Sequence, residues 1–259
     1  MKKGVFKTKR KDNTTVYRVS ITKNGKHISL GTYLTEDEAS KCYNEAYELL
    51  NNNNLKISDY KDSMLISYQK YLSLINFRDN KLYIQTPIYL RKNYFEYHLD
   101  RNTILKFDRD DLFFYSKHKI SKRGNHLFYS EYGMQINLLE KYGIPSYSVE
   151  GKDYHFINSD IYDFRYSNID IINQYHGVKK CVKNGKTTYI SKIHVNGYIK
   201  IGEYNSEIKA AIAYNKAADI LKKTTNINYI QNFPEVSPKE YASIYSELKI
   251  SDKIYEINK

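Results

Sequence analysis

The sequence predicts an α+β fold in which two three-stranded antiparallel sheet-plus-helix domains flank a small mixed middle domain. Three observations carry that expectation. A segment of about fifty residues occurs twice, from Gly4-Val5 and again from Gly177-Val178, and each copy passes from alternating strand-like runs into helical periodicity. Each copy also sets an Asn-Gly pair, Asn24-Gly25 or Asn196-Gly197, between two such runs, where positive φ closes a hairpin. Finally, 41 Lys+Arg against 29 Asp+Glu leave a net charge of +12 on a chain that is 41% hydrophobic and holds 28 Tyr and 10 Phe. That composition is too apolar for a disordered basic tail, and the charge calls for a polyanionic partner.

In the first copy the alternating run is Tyr17, Val19, Ile21; in the second it is Tyr189, Ser191, Ile193. A shorter strand follows in each and ends in Gly-x-Tyr, at Gly31 and Tyr33 or Gly202 and Tyr204. Thr35-Glu36 and Ser206-Glu207 then start a helix, with the hydroxyl placed to cap its first turn. The helices share one apolar stripe, Ala39, Cys42, Tyr43, Ala46, Leu50 against Ala210, Ala213, Tyr214, Ala217, Leu221, and Asn44 matches Asn215. Between the copies, a helix is expected from Ser63 to Leu74, then short strands at 82–89, 94–98 and 103–107. Near the end, Ser237-Pro238-Lys239-Glu240 reads as a helix start running to about Leu248. The expected domains are 1–56, a connector 57–100, a middle domain 101–176, the second repeat 177–235, and a C-terminal helix and tail 236–259.

Alternation sorts each strand by face. If Tyr17, Val19 and Ile21 point at the helix, then Arg18, Ser20 and Thr22 point away; in the second copy Ile190, Lys192 and His194 do so. Residues 1–34 carry Lys2, Lys3, Lys7, Lys9, Arg10, Lys11, Arg18, Lys23 and Lys26 against the single acid Asp12, whereas the helix that follows is acidic. The candidate nucleic-acid contacts are Lys7, Lys9, Arg10, Arg18, Ser20, Lys26 and His27 in the first copy. Lys179, Lys180, Lys183, Lys192 and Lys200 are their counterparts in the second.

The shared text, Gly-Val, Asn-Gly, Gly-x-Tyr, Thr/Ser-Glu and Ala-x-x-x-Tyr-Asn-x-Ala, resembles the Apetala-two/ethylene-response-factor DNA-binding domain over about 45–50 residues at each end. The resemblance implies a sheet that lies in the major groove and reads DNA from the face opposite its helix. Its reader slots fall on Phe6, Thr8, Arg18, Ser20, His27 and Ser29, and on Lys179, Cys181, Ile190, Lys192, Tyr198 and Lys200. The Arg and Trp readers of the plant members are mostly not retained.

The run from Tyr154 to Ile169 resembles the HNH core of free-standing homing endonucleases, whose Apetala-two domain often lies alongside. Asn158, Asp163, Arg165 and Asn168 keep the family spacing. That core is a hairpin followed by a helix (ββα), in which a His draws a proton from water while an Asp and a late Asn hold one divalent cation. Here those slots read Phe156, His155 and Gly177. Phe accepts no proton, and His is a poor Mg²⁺ ligand in place of a carboxylate. A shifted alignment makes His155 the base, with Asp153 or Asp160 and Asn173 near the metal; His155 and Asn168 are then the catalytic candidates.

No phosphate-cradling glycine loop or nucleophile elbow is present. Lys2 and Lys3 precede no signal-length apolar stretch, and no run reaches the ~18 residues of a membrane span. Cys42 and Cys181 make no zinc ligand set and suit a reducing compartment. The expectation is a double-stranded DNA-binding protein on a degenerate nuclease frame, catalytically inactive, serving transcription or genome organisation, with no cofactor and no membrane partner. It would reside in the nucleus, a viral factory or the cytoplasm, wherever the DNA lies; the coding style suits a large DNA virus or phage. The rival reading is an active HNH homing or nicking endonuclease that uses Mg²⁺, and an RNA-binding or virion protein fits the charge but not the repeat.

Overall fold

The computed structural model describes residues 2–223, 225 and 227–257, and the chain divides into two compact units, 1–138 with 160–168 and 139–159 with 169–259. The expected middle domain is therefore shared between them.

The first unit opens with β1 (Val5–Lys9), β2 (Thr15–Lys23) and β3 (Lys26–Tyr33), an antiparallel meander crossed by α1 (Glu36–Asn51). Asn24 and Gly25, at φ 50° and 72°, close the second hairpin as the sequence predicts. Thr35 and Glu38 form a reciprocal capping box at the start of α1. Ala39, Cys42, Tyr43, Ala46 and Leu50 are buried against Val5, Val19, Ile21 and Ile28, and Leu49 joins them.

The next helix, α2 (Tyr68–Asn80), starts later than Ser63. Ser67 caps it by accepting from Lys70 N. The preceding stretch is tied to the first repeat instead: Leu65 and Ile66 donate their N–H groups to Glu45 at 2.9 and 3.1 Å, and Leu65 O, which a helix would pair with the N–H of residue 69, accepts from Tyr33 Oη. A meander of β4 (Ile88–Leu90), β5 (Tyr94–His98) and β6 (Ile104–Asp108) follows, with its last two strands close to expectation. Its first strand begins later than residue 82 because Asn76 Nδ2 donates to Leu82 O and Gln69 Nε2 to Gln85 O, which commits that backbone to side chains of α2.

After α3 (Leu112–Lys117) comes an unforeseen meander, β7 (Ile120–Arg123), β8 (His126–Glu131) and β9 (Met134–Asn137). Two-residue turns, Gly124-Asn125 and Tyr132-Gly133, join its strands, with φ of 57° at Gly124, 48° at Tyr132 and 78° at Gly133. Residues 160–168 belong to this unit because they run along β6. Lys106 donates from N to Tyr162 O, accepts at O from Phe164 N, and pairs with Asp160 at 2.8 Å, while Phe164 stacks on Phe107.

In the second unit β10 (Tyr154–Phe156) pairs antiparallel with β11 (Ile169–Ile171). The chain passes from β11 straight to the next sheet, so the helix of the expected ββα arrangement is not formed. Only six residues separate Ile171 from Val178, and Tyr175 and His176 are already packed as the lead-in to the repeat. The repeat itself is β12 (Val178–Lys183), β13 (Lys186–His194), β14 (Tyr198–Tyr204) and α4 (Glu207–Leu221). Here the two-residue turn is Asn184-Gly185, at φ 50° and 73°. Asn196-Gly197 lies instead in a three-residue connection in which Val195 N donates to Gly197 O.

Ser206 makes no side-chain cap to α4. The third helical position is Lys209, where α1 has Glu38, so a reciprocal box cannot form. Two helices complete the unit, α5 (Pro238–Glu247), capped by Ser237 as the sequence predicts, and α6 (Lys253–Glu256). They cover the side of α4 turned from the sheet, so α4 is buried almost all round, with Ala218 in one cluster with Ile254 of α6. Among the described residues no helix is long and apolar enough to cross a membrane.

Candidate nucleic-acid interface

The strand registers decide which side chains share a face. In the first sheet Phe6 opposes Arg18, Thr8 opposes Val16, Ser20 opposes Ser29 and Thr22 opposes His27. This row lies opposite the one that holds Val19 and Ile21, which pack on α1, so it faces away from the helix. All six slots implied by the resemblance fall on it. Arg18 is exposed, and Thr22 Oγ1 lies 3.3 Å from His27 Nδ1. The row is covered at its Val16 end, where that side chain is 2% exposed.

Lys7, Lys9 and Lys26 oppose Tyr17, Thr15 and Lys23, which places them on the helix side of the sheet instead. Lys26 Nζ lies over the Tyr83 ring, 5.7 Å from its centroid. Arg10 is exposed just past the end of β1. Two further first-copy lysines are spent on α1, since Lys2 pairs with Asp37 at 2.6 Å and Lys23 donates to Asn51 Oδ1. The basic run of the first copy is thus split between two faces, and its open row is mostly neutral.

The second sheet is different. Lys179 opposes Ile190, Cys181 opposes Thr188, Lys183 opposes Lys186, Lys192 opposes Lys200 and His194 opposes Tyr198, all on the row away from α4. Every predicted second-copy lysine except Lys180 stands there; Lys180 opposes Tyr189 on the helix side. Lys186 joins them and was legible from parity alone, since it lies an even number of residues from Lys192 along one strand. The one acid on the row, Glu203, is bound by Lys200 at 2.9 Å and by Thr188 Oγ1 at 2.9 Å. These bonds, the Lys200 ammonium first, hold its carboxyl below the ordinary range.

Both sheets are held by the same local device, which explains the repeated text. Gly4 and Gly177, at φ 71° and 73°, sit where any Cβ would run into the rings of Tyr43 and Tyr214. Their carbonyls accept from Ser20 N at 3.0 Å and Lys192 N at 2.8 Å, where each ladder shifts register. Tyr33 and Tyr204 close the opposite edge by donating to Leu65 O and Lys249 O.

The nuclease-like text keeps its braces. Arg165 grips the fully buried Asp163 through Nε to Oδ1 at 2.8 Å and Nη2 to Oδ2 at 2.6 Å, and Asn168 Nδ2 donates to Asp163 O. Phe156 is buried, while the His155 side chain is 41% exposed with Nδ1 3.7 Å from Asp170 Oδ2. The residues do not fit the divalent cation that the resemblance implies. Asp153 accepts from Val149 N, Asn173 donates to Asp153 and Lys152 O, and Asp160 pairs with Lys106. Among the described residues no three His, Cys, Asp or Glu side chains gather to hold a metal. Comparisons with protein-family models, with curated proteins and with solved structures return no match.

Proposed function

We propose that the protein binds double-stranded DNA without cutting it, chiefly through the lysine-bearing face of the β12–β13–β14 sheet, in transcription or genome organisation. The observation that carries this reading is the register that brings Lys179, Lys183, Lys186, Lys192 and Lys200 onto the face left open by α4. A major groove about 12 Å wide accepts β-structure, and lysines along its walls neutralise phosphates. The non-cleaving part of the proposal is supported by Phe156 in the slot of the base and by the commitment of Asp153 and Asn173 to backbone groups.

The test is a titration of the whole chain against a labelled duplex over a range of salt. Neutralising about five phosphates gives a slope of log K against log salt near −4.5, and Lys192→Ala should bring it about one unit closer to zero. A slope shallower than about −2 would remove the lysine face from the interface. Supercoiled plasmid with Mg²⁺ or Mn²⁺ should stay intact. Nicking that disappears in His155→Ala would replace this reading with the HNH nuclease.

A further inference from the structure

At the end of the second sheet where β12 begins and β13 finishes, a cleft of about 550 Å³ opens onto the lysine face. Its size is within the range of about 300–1,000 Å³ typical of small-ligand sites. Four of its wall residues, Lys179, Lys192, His194 and Tyr198, stand on the open row of the sheet, so its mouth and the proposed DNA face are continuous. Tyr147 and Lys152 are among the wall residues outside the sheet.

The interior is aromatic and fixed. His176 lies edge-on to both Tyr147 and Tyr214, with centroids 4.6 and 5.2 Å away. Its backbone is held from both sides by Asn232, which accepts from His176 N and donates to His176 O. Tyr198 is 78% exposed and meets His194 edge-on at 5.1 Å, which leaves a ring face free for stacking. Burial pushes the Tyr214 hydroxyl up to about 12, helped by the nearby Tyr229 and Tyr147 phenols, so Tyr214 stays protonated. The charge is positive: Lys152, Lys179 and Lys192 face a single acid, Asp153, which is already committed to Val149 N and Asn173.

A planar aromatic group carrying negative charge matches such a lining, because rings stack on the tyrosines while an anion meets the lysines. We propose that this cleft takes one nucleotide, supplied as an extrahelical residue of the DNA lying on the lysine face. This rests on the DNA-binding reading above; a free nucleoside monophosphate carries the same chemistry and is the other source of such a ligand. Extrusion from a paired duplex has to overcome stacking and pairing, so the cleft should favour a nucleotide that is already unpaired.

The experiment measures the affinity of the full chain for a perfect duplex, for the same duplex with one bulged nucleotide, and for one whose bulge is abasic. The bulged duplex should bind about tenfold more tightly than the perfect one, and the abasic bulge should lose that gain. Tyr147→Ala and Lys152→Glu lie outside the sheet; both should abolish the gain while leaving perfect-duplex affinity within about twofold. Melting of each variant shows that it is folded, and Lys152→Glu, at an exposed site, guards against a fold defect in the other. Deoxyadenosine monophosphate that competes away the gain alone identifies a cleft open to free nucleotides. A base-dependent gain that it leaves untouched identifies an extrahelical occupant only. Equal affinity for all three duplexes, with no effect of the monophosphate, overturns the proposal. Binding of no duplex at all defeats the DNA reading instead; the cleft then stands or falls on direct monophosphate binding that Lys152→Glu removes.

Discussion

Ser191 and Val19 occupy the same place in the two copies, opposite Gly202 and Gly31 and beneath a helix. Val19 is packed among apolar neighbours, whereas Ser191 is 0% exposed and its hydroxyl has no hydrogen-bond partner. An unpaired buried hydroxyl costs about 1–3 kcal/mol, so Ser191→Val should raise the melting temperature, and a drop would mean that the site needs the smaller side chain. Asn44 and Asn215 show the opposite contrast. Asn44 is exposed; Asn215 is 2% exposed, donates from Nδ2 to Asn232 O and to Tyr241 Oη, and accepts at Oδ1 from Asn232 N. Asn215→Ala leaves two backbone groups unpaired and should cost about 2–4 kcal/mol, while Asn44→Ala should stay within about 0.5 kcal/mol. Chemical denaturation of the two variants side by side distinguishes them.

At the scale of elements, α1 carries no basic residue in its last turn and takes its positive charge from the neighbouring helix. The buried Arg78 of α2 donates through Nη1 to Leu49 O and Asn52 O, through Nη2 to Leu55 O, and pairs with Asp79 through Nε at 2.7 Å. One guanidinium thus satisfies carbonyls at the end of α1 and in the turn beyond it, and locks α2 against the first repeat. Lysine keeps the charge but not the fork, so Arg78→Lys should destabilise the first unit by about 2–3 kcal/mol. Thermal unfolding that leaves Tm unchanged would show the fork to be dispensable. The equivalent helix α4 is served differently: Lys216 Nζ reaches outward to Tyr245 O and Leu248 O, and Tyr245 Oη donates to Asp219, which fastens α5.

For the whole molecule, a net charge of +12 is less informative than where the charge stands. The open row of the second sheet concentrates lysine, while that of the first offers Arg18 and His27 among Phe, Thr and Ser. Electrostatic attraction to a phosphate backbone should therefore be uneven between the repeats. Reversing Lys179 and Lys192 to Glu together should weaken duplex binding at moderate salt by roughly 100-fold, against a few-fold for Arg18→Glu. Equal losses in an anisotropy titration would show that the two sheets share the load.

Local patterns carried much of this architecture. The Gly-Val, Gly-x-Tyr and Ala-x-x-x-Tyr signatures are legible because each is a short-range steric demand: a positive φ beneath a tyrosine ring, a tyrosine reaching back across an edge, a stripe of small residues under a sheet. The capping serine at 237 and the alternation of β5 and β6 are equally local, whereas the helical pattern from Ser63 overshoots the Ser67 cap of α2 by four residues. Even the open row of each sheet follows from counting alternate residues, and the misplaced candidates, Lys7, Lys9, Lys26 and Lys180, are those of the wrong parity. What the tertiary structure alone decided depends on partners remote in sequence. The loop from Asp160 to Asn168 joins the first unit because β6, some fifty residues earlier, offers it backbone partners. Asn215 is buried and Asn44 is not because residues 232 and 241 fold back over only one of the two helices, and the aromatic cleft beside Lys192 exists because residues 147–153 and 227–230 return to the end of that sheet. No window of local sequence contains both sides of those contacts, so only the folded chain could bring them together.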